Sequence, residues 1–142
     1  MTSRTATVLS SLAYLVVTFP LAILWHRVLF KVPYEEIGYI GREDPIFVFG
    51  FISIAMQGIL LSLGYLVFTK SEHSIGRGIR YALAVGVFFW TSHVLTFAAK
   101  GDINRLELFF PLESIYLLLQ FGIYGIILGL LHSDRKPGKV TE

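Results

Sequence analysis

The sequence predicts an all-α integral membrane protein, a four-transmembrane-helix bundle, and two observations carry that prediction. Charged residues make up only 15% of the chain, where a soluble domain carries about 25%. Those charges also cluster, leaving residues 5–25, 45–69, 81–99 and 114–131 without a single Asp, Glu, Lys or Arg. A helix crossing a bilayer needs about 20 mostly apolar residues, and each gap has that length. The reading is a single membrane domain over residues 1–142, with spans at about 7–30, 45–69, 79–100 and 110–132.

Each element has its own signals. The first apolar run is longer than a signal-peptide core, and WHRVLFKV after it offers no small-residue cleavage site, so it reads as a retained helix. Pro20 predicts a kink, because it lacks a donor and clashes with the carbonyl four residues back. The longest loop, KVPYEEIGYIGREDP, brings Tyr34 and Tyr39 to the membrane interface, folding partly over the helices. Asp44 is placed to cap the second helix, with Pro45 at its first position. In SIGRGIR, Gly76 and Gly78 predict a flexible turn before the third helix. Pro111 in LFFPLES is expected to open the fourth.

Four spans put both termini on the side of the loop between helices two and three. That side carries Arg4, Lys70, Arg77, Arg80, Arg135, Lys136 and Lys139, against Arg27, Lys31, Arg42, Lys100 and Arg105 on the other. Basic loops favour the cytoplasm. The expected location is the cell (inner) membrane, crossed several times, with both termini cytoplasmic.

Side chains three, four and seven apart share a helix face. On helix four this aligns Glu113, Tyr116, Gln120 and Tyr124, while Gly122, Gly125 and Gly129 form a small-residue face containing GIILG. Such a face lets helices approach closely, either inside the bundle or against another subunit. Helix two offers Gly50, Ser53, Gln57 and Gly64, and helix three offers Ala82, Gly86, Trp90, His93, Thr96 and Lys100. Helix one contributes Ser11, Thr18, Ala22 and, at the stripe's edge, His26.

Polar groups in a membrane are expensive against lipid and turn inward. The expectation is an outward-facing polar pocket lined by His26, Gln57, Trp90, His93, Glu113, Tyr116 and Gln120. At about 1.5 Å per residue, His93 lies roughly 9 Å below the outer boundary and Glu113 about one turn below it. Each candidate also has a plainer reading. His93 can be a neutral imidazole bonded to a carbonyl, Glu113 a carboxylate stabilised by a helix N-terminus, and the glutamines interhelical ties. Trp25 fits an interfacial belt.

Several functions are set aside by composition. A formal net charge of +2 without a basic stripe argues against nucleic acid. The absence of cysteine removes thiolate metal sites, disulfide exchange and cysteine nucleophiles. No helix carries HxxxH or ExxH spacing, so no metal site is expected, and a b-type haem would need His26 and His93 to face each other. The cofactor is left open. The leading expectation is a non-catalytic subunit or homo-oligomer, its partners being the bilayer and either copies of itself or a larger complex met through helix four. The alternatives are ion, proton or small-ligand binding or transport through His93 and Glu113, and a membrane enzyme acting on a lipid, isoprenoid or quinone.

Overall fold

The computed structural model describes residues 2–39, 45–69 and 73–133. The helices are α1 (Ser3–Leu29), α2 (Lys31–Ile37), α3 (Phe47–Thr69), α4 (Ile75–Lys100) and α5 (Leu106–Ser133). The described residues contain no strand. Four of the helices, α1, α3, α4 and α5, are long and apolar enough to cross a membrane. They run up and down in alternation. The short α2 lies at the end where α1 finishes and α5 begins, called here the α2 end.

α1 packs along α3 and α5, and α4 packs along α5. Aromatic side chains fill the middle: Tyr14, Tyr65, Tyr124, Phe109 and Phe121 are all fully buried. The outward faces are apolar as well, with Val16, Phe49, Val67 and Phe88 among the most exposed large hydrophobic residues. A water-soluble bundle would place polar residues there.

Neither α1 nor α4 is α-helical throughout. Residues Leu24–Leu29 of α1 and Trp90–Leu95 of α4 widen into π-helical turns. In the first, the Phe30 amide reaches back five residues to the Trp25 carbonyl at 3.0 Å. Pro20 lies within the preceding α-helical stretch Ser3–Ile23, four residues before the first π turn.

Several helix ends differ from expectation. α3 begins at Phe47, not Pro45; the Ile46 carbonyl accepts from the Gly50 amide and so closes the first turn. The expected cap at Asp44 lies outside the described residues, as do Arg42, Lys70, Arg135, Lys136 and Lys139. α4 starts at Ile75, so Gly76 and Gly78 belong to its first turns and form no separate turn. The Ser74 hydroxyl caps it by accepting from the Arg77 amide at 3.2 Å. Gly78 has a packing reason: a Cβ there would meet the Gly129 backbone nitrogen at 2.6 Å. α5 opens at Leu106, so Pro111 sits inside it, exposed.

Gly125 and Gly129 are buried against α4, where added Cβ atoms would meet Ile79 Cα at 2.8 Å and Ile75 Cα at 2.5 Å. The GIILG pair is thus used inside the chain. Gly122, expected on the same face, has open space around it.

Candidate functional site

The site is built at the α2 end, around Glu113 in the second turn of α5. Its side chain is fully buried. Oε1 lies 3.1 Å from His26 Nε2 and accepts from the Tyr34 hydroxyl at 2.7 Å. Oε2 faces His93 Nε2 at 3.5 Å and has no closer hydrogen-bond partner among the described residues. Three elements therefore converge on one carboxyl: α1 through His26, α2 through Tyr34 and α4 through His93.

The π turns explain how both histidines get there. Each inserts a residue into its helix, a distortion common at functional sites, and each holds one of the two histidines. In α1 the wider turn lets neighbouring residues both point inward. Trp25 is buried and donates from Nε1 to the Tyr34 hydroxyl at 3.2 Å, while the next residue reaches Glu113. In α4 the turn separates Trp90 from His93. Trp90 donates to Ser114 Oγ at 2.9 Å, and His93 turns to the carboxyl.

α2 is held over the site by its C-terminal cap. Gly38 adopts a left-handed conformation, φ 80°, and its amide bonds the Glu35 carbonyl while the Tyr39 amide bonds that of Tyr34. This paired closure favours a residue without Cβ at the turn. It returns Tyr39 toward the site, its hydroxyl 3.4 Å from His93 Nε2. The Asn104 amide donates to the Ile37 carbonyl at 2.9 Å, fastening α2 to the segment before α5. Burial first, and the charge of Glu113 second, raise the phenols of Tyr34 and Tyr39 well above their ordinary value.

Hydrogen-bond chemistry fixes a proton at the site. A carbonyl can only accept, so His26 Nδ1, 3.0 Å from the Ala22 oxygen, carries a hydrogen. His26 Nε2 and Glu113 Oε1 then share one more. The pair is either imidazolium with carboxylate or imidazole with carboxylic acid, and both forms have zero net charge. That neutrality is what an apolar setting tolerates.

Beside this cluster lies a cavity of about 920 Å³. His26, His93, Tyr34, Tyr39, Tyr116, Gln57 and Gln120 contribute to its wall, together with Thr18, Ile54, Phe89 and Leu117. Below it, Tyr14 donates to Gln57 Oε1 at 3.1 Å and accepts from Gln120 Nε2 at 2.6 Å, linking α1, α3 and α5.

Of the residues expected at a pocket, His26, Gln57, His93, Tyr116 and Gln120 line this cavity. Glu113 sits behind the histidines, and Trp90 is turned to Ser114, off the wall. Gly50 and Ser53, grouped with Gln57 from spacing, are exposed. Tyr34, which makes the shortest contact to Glu113, lies in a segment whose sequence reads only as an interfacial loop; the YEEIGYIG pattern holds a glycine stop but no helical periodicity long enough to mark α2. A second polar cluster lies toward the other end, where Ser10, Ser62, Tyr124 and His132 are buried together. Among the described residues no group of three or more potential metal ligands stands close enough to hold an ion.

The chain matches no protein-family model, and neither the curated proteins nor the solved structures gave a match.

Proposed function

We propose that this chain is an integral membrane protein that crosses the cell membrane four times with both termini cytoplasmic, and that it works as a non-catalytic subunit. Its role is to bind a small ligand in a pocket that opens toward the outer face, at the α2 end. Four long apolar helices and the excess of basic residues on the terminal side support the topology. The single observation that carries the ligand reading is Glu113: a fully buried carboxyl, met by two histidines from π-helical turns, beside a cavity of about 920 Å³. Ionisable groups inside a membrane segment are functional candidates, because they are costly to keep. A cavity of that volume is in the range of small-molecule sites.

The test is native mass spectrometry of the gently solubilised protein. A mass above the bare chain that disappears in His93→Ala and in Glu113→Gln is the expected result. A bare mass, or one explained only by further protein subunits, rejects the pocket. Self-association through α5 would use the open side around Gly122, because Gly125 and Gly129 are covered by α4.

One observation favours a second reading, binding or transfer of a proton or cation. His26 and Glu113 share a proton in a neutral pair, and His93, half exposed to the cavity, stands against the other carboxyl oxygen.

A further inference from the structure

The buried polar cluster near the far end of the bundle lies on the same helix face as the Glu113 site. Glu113 and His132 are nineteen residues apart on α5, about 28 Å at 1.5 Å per residue. A hydrocarbon layer is about 30 Å thick, so in the topology proposed above α5 carries a buried titratable group near each boundary. Between them the same face holds Tyr116, Gln120 and Tyr124, all buried. Leu128 takes the next position on that face, and there hydroxyls of α1 and α3 continue the polar row.

The row has three stretches. The cavity reaches from the exposed Arg27, Lys31 and Glu35 past His26 and His93 to Gln57 and Gln120; a polar space of that size admits water. Beneath it Tyr14 donates to Gln57 and accepts from Gln120. Farther along, the Tyr124 hydroxyl lies 3.0 Å from Ser62 Oγ, Ser62 2.9 Å from Ser10 Oγ, and Ser10 3.4 Å from His132 Nε2. The His132 ring packs on the partly exposed His73, centroids 5.6 Å apart, which brings the row to the end of the bundle. Tyr65 of α3 covers the same ring edge-on.

Hydroxyl ties between membrane helices need no particular order. These lie in file along the bundle axis, with a titratable group at each end. A hydroxyl accepts on its oxygen while it gives up its own hydrogen, so such a file moves a proton by small rotations. The file has one break. Among the described residues no hydrogen bond joins Tyr14 to Tyr124, whose rings meet edge-on with centroids 4.8 Å apart.

On the proton reading above, we infer that the bundle conducts protons slowly across the membrane, between the Glu113 cluster and His132. A proton from water at the α2 end joins that cluster, which releases one into the cavity. Tyr14 accepts a proton there, turns its own hydrogen away from Gln57 and passes it to Tyr124. Tyr124 hands one to Ser62, Ser62 to Ser10, and Ser10 to His132 Nε2, while His132 releases one from Nδ1 toward the far side. The Ala6 carbonyl, 2.8 Å from Ser10 Oγ, competes for the Ser10 hydrogen, so Ser10 turns as well. One proton enters and one leaves, and every carrier regains its hydrogen when it turns back. Relays of ionisable groups inside membrane segments serve this chemistry.

The experiment reconstitutes the full chain in potassium-loaded liposomes with a pH-sensitive dye inside, and valinomycin sets an inside-negative potential. The expected result is faster internal acidification than in empty liposomes. Tyr124→Phe removes a hydroxyl and keeps the ring, and Ser62→Ala removes the next one. Each should return the rate to that of empty liposomes, as should Glu113→Gln. Ser133→Ala, at an exposed hydroxyl of α5, should leave the rate unchanged. A circular-dichroism melt identifies any variant that fails to fold, and the two hydroxyl variants test the route independently. A wild-type rate equal to that of empty liposomes overturns the inference. So does a raised rate that persists in either folded hydroxyl variant or in Glu113→Gln. The infrared carboxyl band of Glu113, assigned with Glu113→Gln, separates this failure from that of the proton reading. A band that responds to a pH step without any flux keeps proton binding at Glu113 and removes the route. No response and no flux removes both.

Discussion

The two ends of the molecule are made differently. Away from α2, backbone meets backbone: Gly78 of α4 lies against Gly125 and Gly129 of α5, and Tyr81 bridges to α3 over Gly64. Polar groups there are brought together, Ser62 Oγ lying 2.9 Å from Ser10 and 3.0 Å from Tyr124. At the α2 end α1 and α4 widen into π turns, a cavity opens between the helices, and one oxygen of a buried carboxyl has no hydrogen bond among the described residues. For a bundle in lipid, as proposed, apolar burial would do little to hold the helices together, and close packing with interhelical hydrogen bonds would do it. The tight end provides that packing, and the open end is free to keep polar groups that would weaken a packed core.

The largest effect should come from breaking the tight end. A side chain at Gly129 meets Ile75 Cα and the Ser74 carbonyl, backbone atoms that cannot rotate aside. Gly129→Leu should therefore cost about 3 kcal/mol or more, read as a lowered melting temperature in detergent. Gly122→Ala is the control; its added carbon meets open space, and it should gain up to about 1 kcal/mol from helix propensity. Equal melting of the two variants would remove the distinction between the ends.

At the open end, Glu113→Ala strands the buried Tyr34 hydroxyl and takes its partner from the partly buried His26 ring. The expected loss is about 3 kcal/mol, and Glu113→Gln, which keeps the shape and an acceptor, should lose about half of it. The asymmetry between the two substitutions is the point. If alanine is tolerated as well as glutamine, the carboxyl holds nothing together and its three contacts are incidental. Ser62→Ala in the other polar cluster should cost less, about 1 kcal/mol, since hydroxyl ties between membrane helices average under that value. A loss as large as that of Glu113→Ala would make the tight end depend on polar ties as much as on glycine contacts.

This contrast decides what the sequence made legible. The long helices were readable because charge-free gaps need only counting. The inward stripe Glu113, Tyr116 and Gln120 was readable because α5 keeps a 3.6-residue period through its length. α1 and α4 do not keep it. A constant period leaves His26 at the edge of its stripe and puts Trp90 beside His93; the π turns bring His26 to the carboxyl and send Trp90 to Ser114. No residue type in LWHRVL or WTSHVL marks a widened turn, because the extra residue is accommodated by neighbouring helices. Tyr34 was hidden for a different reason. Its helix is seven residues long, too short to show a period, and its contact to Glu113 spans 79 positions in sequence.

The subtlest probe of the open end is alkaline titration of the tyrosines above it. Tyr34 and Tyr39 lie on α2 and just after it, and both phenols are raised above their ordinary value of 10.0, by burial first and by Glu113 second. A group whose folded value is raised gives stability that is complete below its unfolded value and is lost as pH climbs past it. Stability from these two should thus be intact up to about pH 10 and decline above it, as the unfolded chain releases phenolic protons that the folded one keeps. The phenolate ultraviolet band should show a late-titrating fraction that shrinks in Tyr34→Phe. In Glu113→Gln, which removes the negative charge and leaves the burial, Tyr34 should ionise earlier while Tyr39, with no hydrogen bond to the carboxyl, moves less. If Glu113→Gln leaves the late fraction where it was, burial alone protects Tyr34, and α2 covers the carboxyl without being electrically coupled to it.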